Sequence, residues 1–324
     1  MSIKEAIDKI YNPELDQLLA ILTTMAITHQ EVSLLARTHG QPASPTRLGK
    51  EIEVFIERIK QQINLLKQIP HAAKFGGATG NFNAHNVAYP TIDWKSFGQH
   101  FVQQTLGLHH SFPTTQIEHY DSFAALCDNM KRINTILIDL NRDFWQYIMM
   151  DYFKQEINPN EVGSSAMPHK VNPIDFENSE GNLGLSNALL LFIADKLPKS
   201  RLQRDLSDST VLRNIGVAFG YALLAHIACL KGLTKIQPNR IVINEELDKN
   251  WAVLAEPVQT ILRLEGNDDA YEIIKKLTRG QPINKEFYFN LIDKLELTEE
   301  NRSYLKNLTP KKYIGIADQL TKKF

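Results

Sequence analysis

Residues 211–233 read VLRNIGVAFGYALLAHIACLKGL, and residues 182–197 read NLGLSNALLLFIADKL. Both are apolar on most of a helical circumference, and Gly216, Ala218, Gly220, Ala222, Ala225 and Ala228 are spread through the first. A helix that is apolar all round has to be enclosed by other helices. Small residues let neighbouring backbones come close. The two stretches therefore predict the centre of a multi-helix bundle, completed by other subunits.

Working outward, the same 3.6-residue period recurs with a polar side. Ile52, Phe55, Ile56, Ile59, Ile63 and Leu66 fall on one stripe of residues 51–69. Phe123, Leu126, Met130, Ile133, Leu137, Leu140 and Phe144 do so in residues 122–152, with Met149 close by. No sustained run of β-branched residues alternates with polar ones, so strand signals are weak. Gly, Pro, Ser and Asn mark loops at residues 38–45, 75–80, 111–115 and 158–173. From about Gly232 shorter amphipathic pieces are separated by Gln237-Pro238, Gly266-Asn267-Asp268, Gly280-Gln281-Pro282 and Thr309-Pro310. We expect a central helical-bundle domain over residues 1–231 and a small helical C-terminal domain over 232–324.

The composition excludes several function classes. The 324 residues carry 36 Lys and Arg against 37 Asp and Glu, a net charge of −1, so no global field favours nucleic acid or an anionic membrane. The two cysteines, Cys127 and Cys229, are far apart and form no CxxC pair, which speaks against disulfides and zinc. The N-terminus carries acids and no apolar signal core. The most apolar stretches, near residues 188–194 and 217–230, read as too short or too interrupted to span a bilayer. A cytoplasmic location follows as the expectation.

Three segments carry chemistry. Arg37-Thr38-His39-Gly40-Gln41-Pro42 lies between a helical stretch expected to end near Ala36 and a helix expected from Thr46. Its histidine suits proton transfer near neutral pH, although a histidine in a Gly/Pro turn is more often structural. Glu161-Val-Gly-Ser-Ser-Ala-Met-Pro-His-Lys-Val-Asn-Pro173 offers two hydroxyls, a lysine and an asparagine ahead of a helix start, which suits an anionic substrate. Residues 199–214 (KSRLQRDLSDSTVLRN) read equally as a basic loop with Asp208 or Ser209 capping a helix, or as an anion clamp of Arg204, Ser209 and Arg213. Phe75-Gly-Gly-Ala-Thr-Gly80 lacks the GK[ST] of a phosphate loop and reads as a turn. His109-His110 and Glu118-His119 lack a partner cluster at metal-ligand spacing.

The order Gly163-Ser-Ser-Ala-Met-Pro-His-Lys-Val-Asn-Pro173, with Glu177 four residues on, resembles the GSSxMPxKxNP signature of the fumarase/aspartase superfamily. Thr38-His39-Gly40-Gln41-Pro42 is similar to its second shared region. Thr115-Gln116-Ile117-Glu118, and Gln203-Arg204 through Arg213-Asn214, resemble the adenylosuccinate lyase family within it, and the likeness runs over essentially the whole chain. That resemblance implies an all-α homotetramer with a long-helix bundle at its centre and active sites assembled from three subunits. It implies release of fumarate by β-elimination from adenylosuccinate and from the succinyl-carboxamide ribotide, with no metal or organic cofactor. His39 is implied as general acid, Ser164 as base with Ser165 as the alternate, and Glu177 as the carboxylate that orients His39. Lys170 and Asn172 are implied on the succinyl carboxylates. Thr38, Gln116, Val171, Asn178, Arg204, Ser209, Thr210, Val211, Leu212 and Arg213 are implied around the rest of the nucleotide.

Two departures bear on that reading. Family members carry an N-terminal domain ahead of the matching region. The Arg-Tyr, HDVKA-type and TSEDINN-type segments of their active site are expected to be missing here, with Met1 matching an internal position. The other departure is Ile117-Glu-His-Tyr-Asp121, where the family more often has IEPHD. A catalytically silent scaffold is the alternative from another class, and retention of His39, Ser164, Lys170, Asn172 and Glu177 argues against it. Gln116 and the Arg204–Arg213 stretch argue against a sibling lyase with another substrate.

Overall fold

The computed structural model describes residues 2–156, 167 and 170–321. It forms two compact units, residues 1–21, 55–146 and 157–235 in the first and residues 22–54, 147–156 and 236–324 in the second. The chain is predominantly helical, in keeping with the all-α expectation.

In the first unit the long helix Asp121–Met149 pairs with Ile174–Lys196. Leu126, Met130, Ile133, Leu137, Leu140 and Phe144 are buried, as the period required, whereas Met149 is exposed. Burying one such side chain contributes about 1.5–3 kcal/mol. Polar rungs cross this apolar seam. Asn134 Nδ2 donates to Ser186 Oγ at 3.1 Å and to Asn187 Oδ1 at 3.0 Å. Asn141 Nδ2 donates to Ser179 Oγ at 2.8 Å, and the rings of Phe144 and Phe176 stack with centroids 5.9 Å apart. Seven residues up one helix match seven down the other, so the pair is antiparallel with a single register. A register slip would strand these buried amides without partners, which costs about 1–3 kcal/mol each.

The third member is Ile215–Thr234, which packs on Ile174–Lys196. Ser186 Oγ donates on to the Ala218 carbonyl at 2.9 Å. Close approach is required at Gly232, where a Cβ would stand 3.0 Å from the Phe176 ring. Lys235 Nζ closes the end of the pair on Asp175 at 2.8 Å. Residues 207–234 are long and apolar enough to cross a membrane by length and composition, contrary to the shorter span read from sequence. They fold as a short helix Ser207–Leu212, a break at Arg213-Asn214, and the bundle helix, with Ala218, Ala222, Ala225, His226 and Cys229 buried.

His226 is fully buried against the Tyr11 ring, with centroids 5.2 Å apart and neither ring nitrogen hydrogen-bonded among the described residues. Burial pushes its pKa down from 6.5 to about 4. The unfolded chain therefore binds a proton that the folded chain refuses. Stability is complete above pH 6.5, falls as pH drops towards 4, and levels off below, a loss on the order of 3 kcal/mol. His226→Phe is expected to flatten this dependence. Urea midpoints compared at pH 7 and pH 5, at one protein concentration, measure it. An unchanged slope in the variant would clear His226 of the effect.

The second unit corrects the sequence reading around His39. Residues 33–47 are not a helix end, loop and helix start. They form a β-hairpin, Ser33–Thr38 antiparallel to Gln41–Arg47, with Thr38 opposite Gln41 and Ser33 opposite Arg47. Ser33, Leu34 and Leu35 are all buried, so both faces are covered where the strand starts and it looks helical in sequence; a bulge follows between Leu35 and Arg37. Two-stranded pairings also join Phe153–Gln155 to Ile236–Pro238 and, in the first unit, Ala72–Ala73 to His109–His110. The helices Arg240–Lys249, Ala255–Leu264, Ala270–Thr278, Lys285–Lys294 and Glu299–Asn307 follow. The last four, with Trp251 and Leu254 from the turn before them, close a core that includes Val258, Leu262, Ile274, Tyr288, Ile292 and Leu305.

Candidate active site

His39 sits at the hairpin tip. His39 and Gly40 have φ of 53° and 73°, the positive pair required by a two-residue turn that follows the strands' twist. Thr38, His39 and Gly40 are exposed. The turn is braced from within its unit. Arg37 Nη1 donates to the Gly40 carbonyl at 3.2 Å, and Nη2 pairs with Glu246 on the Arg240–Lys249 helix. Burial opposes the charge on Arg37, but Glu246 and Tyr152 outweigh it and raise its pKa. The imidazole is thus carried on a rigid, charge-anchored hairpin.

In the first unit, the signature stretch leads into the Ile174–Lys196 helix. Ser164 and Ser165 lie outside the described residues. Lys170 and Val171 are exposed and Asn172 half-buried just before the helix. Glu177 stands in its first turn, where a carboxylate complements the helix dipole. The Glu177 Oε1 accepts a hydrogen bond from the Trp145 indole Nε1 at 3.0 Å. Asn178 accepts from Asn182 Nδ2, through its backbone oxygen at 2.9 Å and its side-chain oxygen at 2.6 Å.

Gln116 and the 204–213 stretch belong to the same unit. Gln116 is half-buried in a loop folded around Glu118, which accepts from Ser111 Oγ and from the Tyr120 N–H, each at 2.8 Å. Tyr120 takes a φ of 63°, uncommon for a bulky residue. Burial, and then Asp208, raise its hydroxyl pKa, with Arg204 opposing. Arg204 Nε lies 3.6 Å from the buried Asp208 carboxylate. Asp208 Oδ1 accepts from the Ser209 N–H at 2.7 Å, and Ser209 Oγ donates to the Leu206 carbonyl at 3.0 Å. Thr210 and Arg213 are exposed, and Val211 is buried. Leu206 holds the N-cap position of this short helix, so neither Asp208 nor Ser209 caps it; just ahead, Asp205 accepts from the Ser207 N–H at 2.8 Å and also from its hydroxyl. Glu118, Tyr120 and Leu212 line one cavity of about 160 Å³, which places the Gln116 loop beside the 207–212 helix.

A family profile described as Lyase matches residues 1–187, and one described as Adenylosuccinate lyase C-terminal matches residues 200–314. The adenylosuccinate lyase of Dictyostelium discoideum is 53% identical over 325 residues, covering 98% of this chain and 69% of that protein. The adenylosuccinate lyase of Escherichia coli K12 is 50% identical over 317 residues, covering 98% of this chain and 69% of its own length. The chain belongs to the adenylosuccinate lyase family. Solved structures agree on the family's fold at lower identity. A fumarate lyase from Mesorhizobium sp. BNC1 superposes with a TM-score of 0.78 at 16% identity, covering 98% of this chain and 72% of that one. A 3-carboxy-cis,cis-muconate lactonizing enzyme from Pseudomonas putida gives 0.76 at 20% identity, with 98% and 72% covered.

Sequence reasoning about this family member missed Trp145, Tyr120 and the Arg37–Glu246 brace. Nothing local marks them. Trp145 lies 32 residues from Glu177, and Arg37 lies 209 from Glu246. Each pairing exists only once helices have packed in register.

Proposed function

We propose that this chain catalyses β-elimination of fumarate from adenylosuccinate, giving AMP, and from the succinyl-carboxamide ribotide, giving the carboxamide ribotide. Identity near 50% to adenylosuccinate lyases across essentially the whole chain supports this reading. The reaction needs a base for the weakly acidic proton on the succinyl carbon next to a carboxylate. It also needs an acid for the departing nitrogen. Ser164 is the base, with Ser165 as alternate, and His39 is the acid. A serine hydroxyl is a poor base unless its alkoxide is stabilised. Lys170 and the positive end of the Ile174–Lys196 helix supply that potential. Lys170 and Asn172 hold the succinyl carboxylates. Thr38, Gln116, Val171, Asn178, Arg204, Ser209, Thr210, Val211, Leu212 and Arg213 hold the nucleotide, the arginines through charge-assisted bonds to its phosphate.

Glu177 accepts from the His39 imidazole and fixes its orientation. The enzyme works as a homotetramer with active sites shared between subunits. Supporting this, Leu185, Leu191, Phe192, Leu224 and Ile227 are exposed on the two apolar helices. A Cβ added at Gly181, Gly184, Gly216 or Gly220 would meet nothing, which leaves room for a neighbouring backbone. Two free, buried cysteines suit a reducing cytoplasm. The test is the ultraviolet absorbance change when the purified chain meets adenylosuccinate, with fumarate appearing in step. Absence of both would remove the activity from this polypeptide.

A further inference from the structure

Two glutamates, one turn apart on the Ile174–Lys196 helix, are held in different ways by the Asp121–Met149 helix. Glu180 Oε1 receives both Nε and Nη2 of Arg142, at 2.8 and 2.7 Å. Glu177 Oε1 receives the Trp145 indole N–H at 3.0 Å. Arg142 and Trp145 are themselves one turn apart, so the two contacts are successive rungs on the rim of the same antiparallel pair. The core of that pair is keyed by Asn141 to Ser179 and by Phe144 on Phe176. Arg142, Trp145, Gln146, Glu177 and Glu180 surround a cavity of about 200 Å³ beside the Glu177 carboxylate.

The chemistry of the two donors differs. A guanidinium brings a full positive charge and neutralises the carboxylate it holds. An indole brings one N–H and no charge. It can therefore fix the direction of Glu177 while leaving the carboxylate anionic. An exposed glutamate otherwise samples several rotamers, and ordering such a side chain costs up to about 1.5–2 kcal/mol. The indole occupies one carboxylate oxygen, and the second remains the acceptor an imidazole N–H requires.

We infer that Trp145 is a positioning residue of the elimination, holding Glu177 as an oriented anion for the catalytic imidazole. The inference rests on the reading above that Glu177 orients His39. Steady-state kinetics of the full chain test it with three variants. Trp145→Phe keeps the ring and removes the N–H; it is expected to lower kcat roughly 10- to 100-fold, the loss usual for removing an orienting partner, with KM unchanged. Arg142→Met removes the neighbouring rung and is expected to leave kcat unchanged. Glu177→Gln is expected to lower kcat at least as far as Trp145→Phe does.

A normal kcat in Glu177→Gln would sink the underlying reading. Loss in Glu177→Gln with normal kcat in Trp145→Phe would overturn only the inference. An equal loss in Arg142→Met would also overturn it, since weaker helix pairing would then explain both variants. A second readout needs no turnover. The chain has three tryptophans, and Trp145→Phe identifies the Trp145 indole proton in a ¹⁵N-resolved spectrum. Glu177→Ala must shift that resonance, and an unmoved signal would show that the hydrogen bond does not exist.

Discussion

Replacing His39 by asparagine is expected to lower kcat by about 10²–10⁴, the range lost with general acid–base catalysis. Asparagine is the informative choice because the backbone at this position has a φ of 53°, which asparagine tolerates better than alanine. The hairpin does not depend on the imidazole. Arg37 still reaches the Gly40 carbonyl, Glu246 still pairs with Arg37, and Leu34 and Leu35 stay buried. Folding and thermal midpoint should therefore be unchanged while the proton for the departing nitrogen is lost. Ser164→Ala removes the base and should fall in the same range. KM should move much less than kcat in both, because neither change touches the residues assigned to the phosphate. Steady-state rates on adenylosuccinate, read beside circular-dichroism melts, make the comparison. Near-normal turnover in both variants would sink the assignment of acid and base.

Much of this fold can be read from residue order, and the exceptions have physical causes. The stripe from Ile52 to Leu66 and that from Leu126 to Phe144 predict their helices because apolar spacing of three and four has one structural solution. The hairpin escapes notice because Ser33, Leu34 and Leu35 are all buried, so both faces of the strand are covered there. Period-two reasoning fails where both faces of a strand are covered. Asn134 and Asn141 look like surface residues of an amphipathic helix, yet they are fully buried and key the register. Only the partner helix, with Ser179 and Ser186 at the matching interval, gives them that role. The candidate site divides the same way. His39, Lys170, Asn172 and Glu177 stand out as contiguous motifs. Trp145 belongs to no motif and acquires a function from where antiparallel packing places its indole N–H.

A Leu191→Glu, Leu224→Glu double variant is expected to be helical and stable as a single chain, to sediment as a monomer, and to be inactive. Both leucines are more than half exposed, at 54% and 57%, on helices whose adjoining sides carry the buried residues Leu183, Leu190, Ala218 and Ala225. Such helices are apolar all round but only half covered, and a soluble protein rarely leaves that much apolar surface to water. Each leucine enclosed by a partner contributes about 1.5–3 kcal/mol, and a closed tetramer repeats the gain in every copy. A glutamate there would have to be desolvated without a partner, which reverses the sign of the same contact. The fold of one chain does not need these side chains, so its helicity should survive. Activity should not, because His39, Ser164 and the Gln116–Arg213 group are expected to meet across subunits. Sedimentation velocity and turnover on one preparation separate the possibilities. A variant that associates as the unaltered chain does would show that this face is not the interface. A monomer with full activity would show that each chain completes its own site.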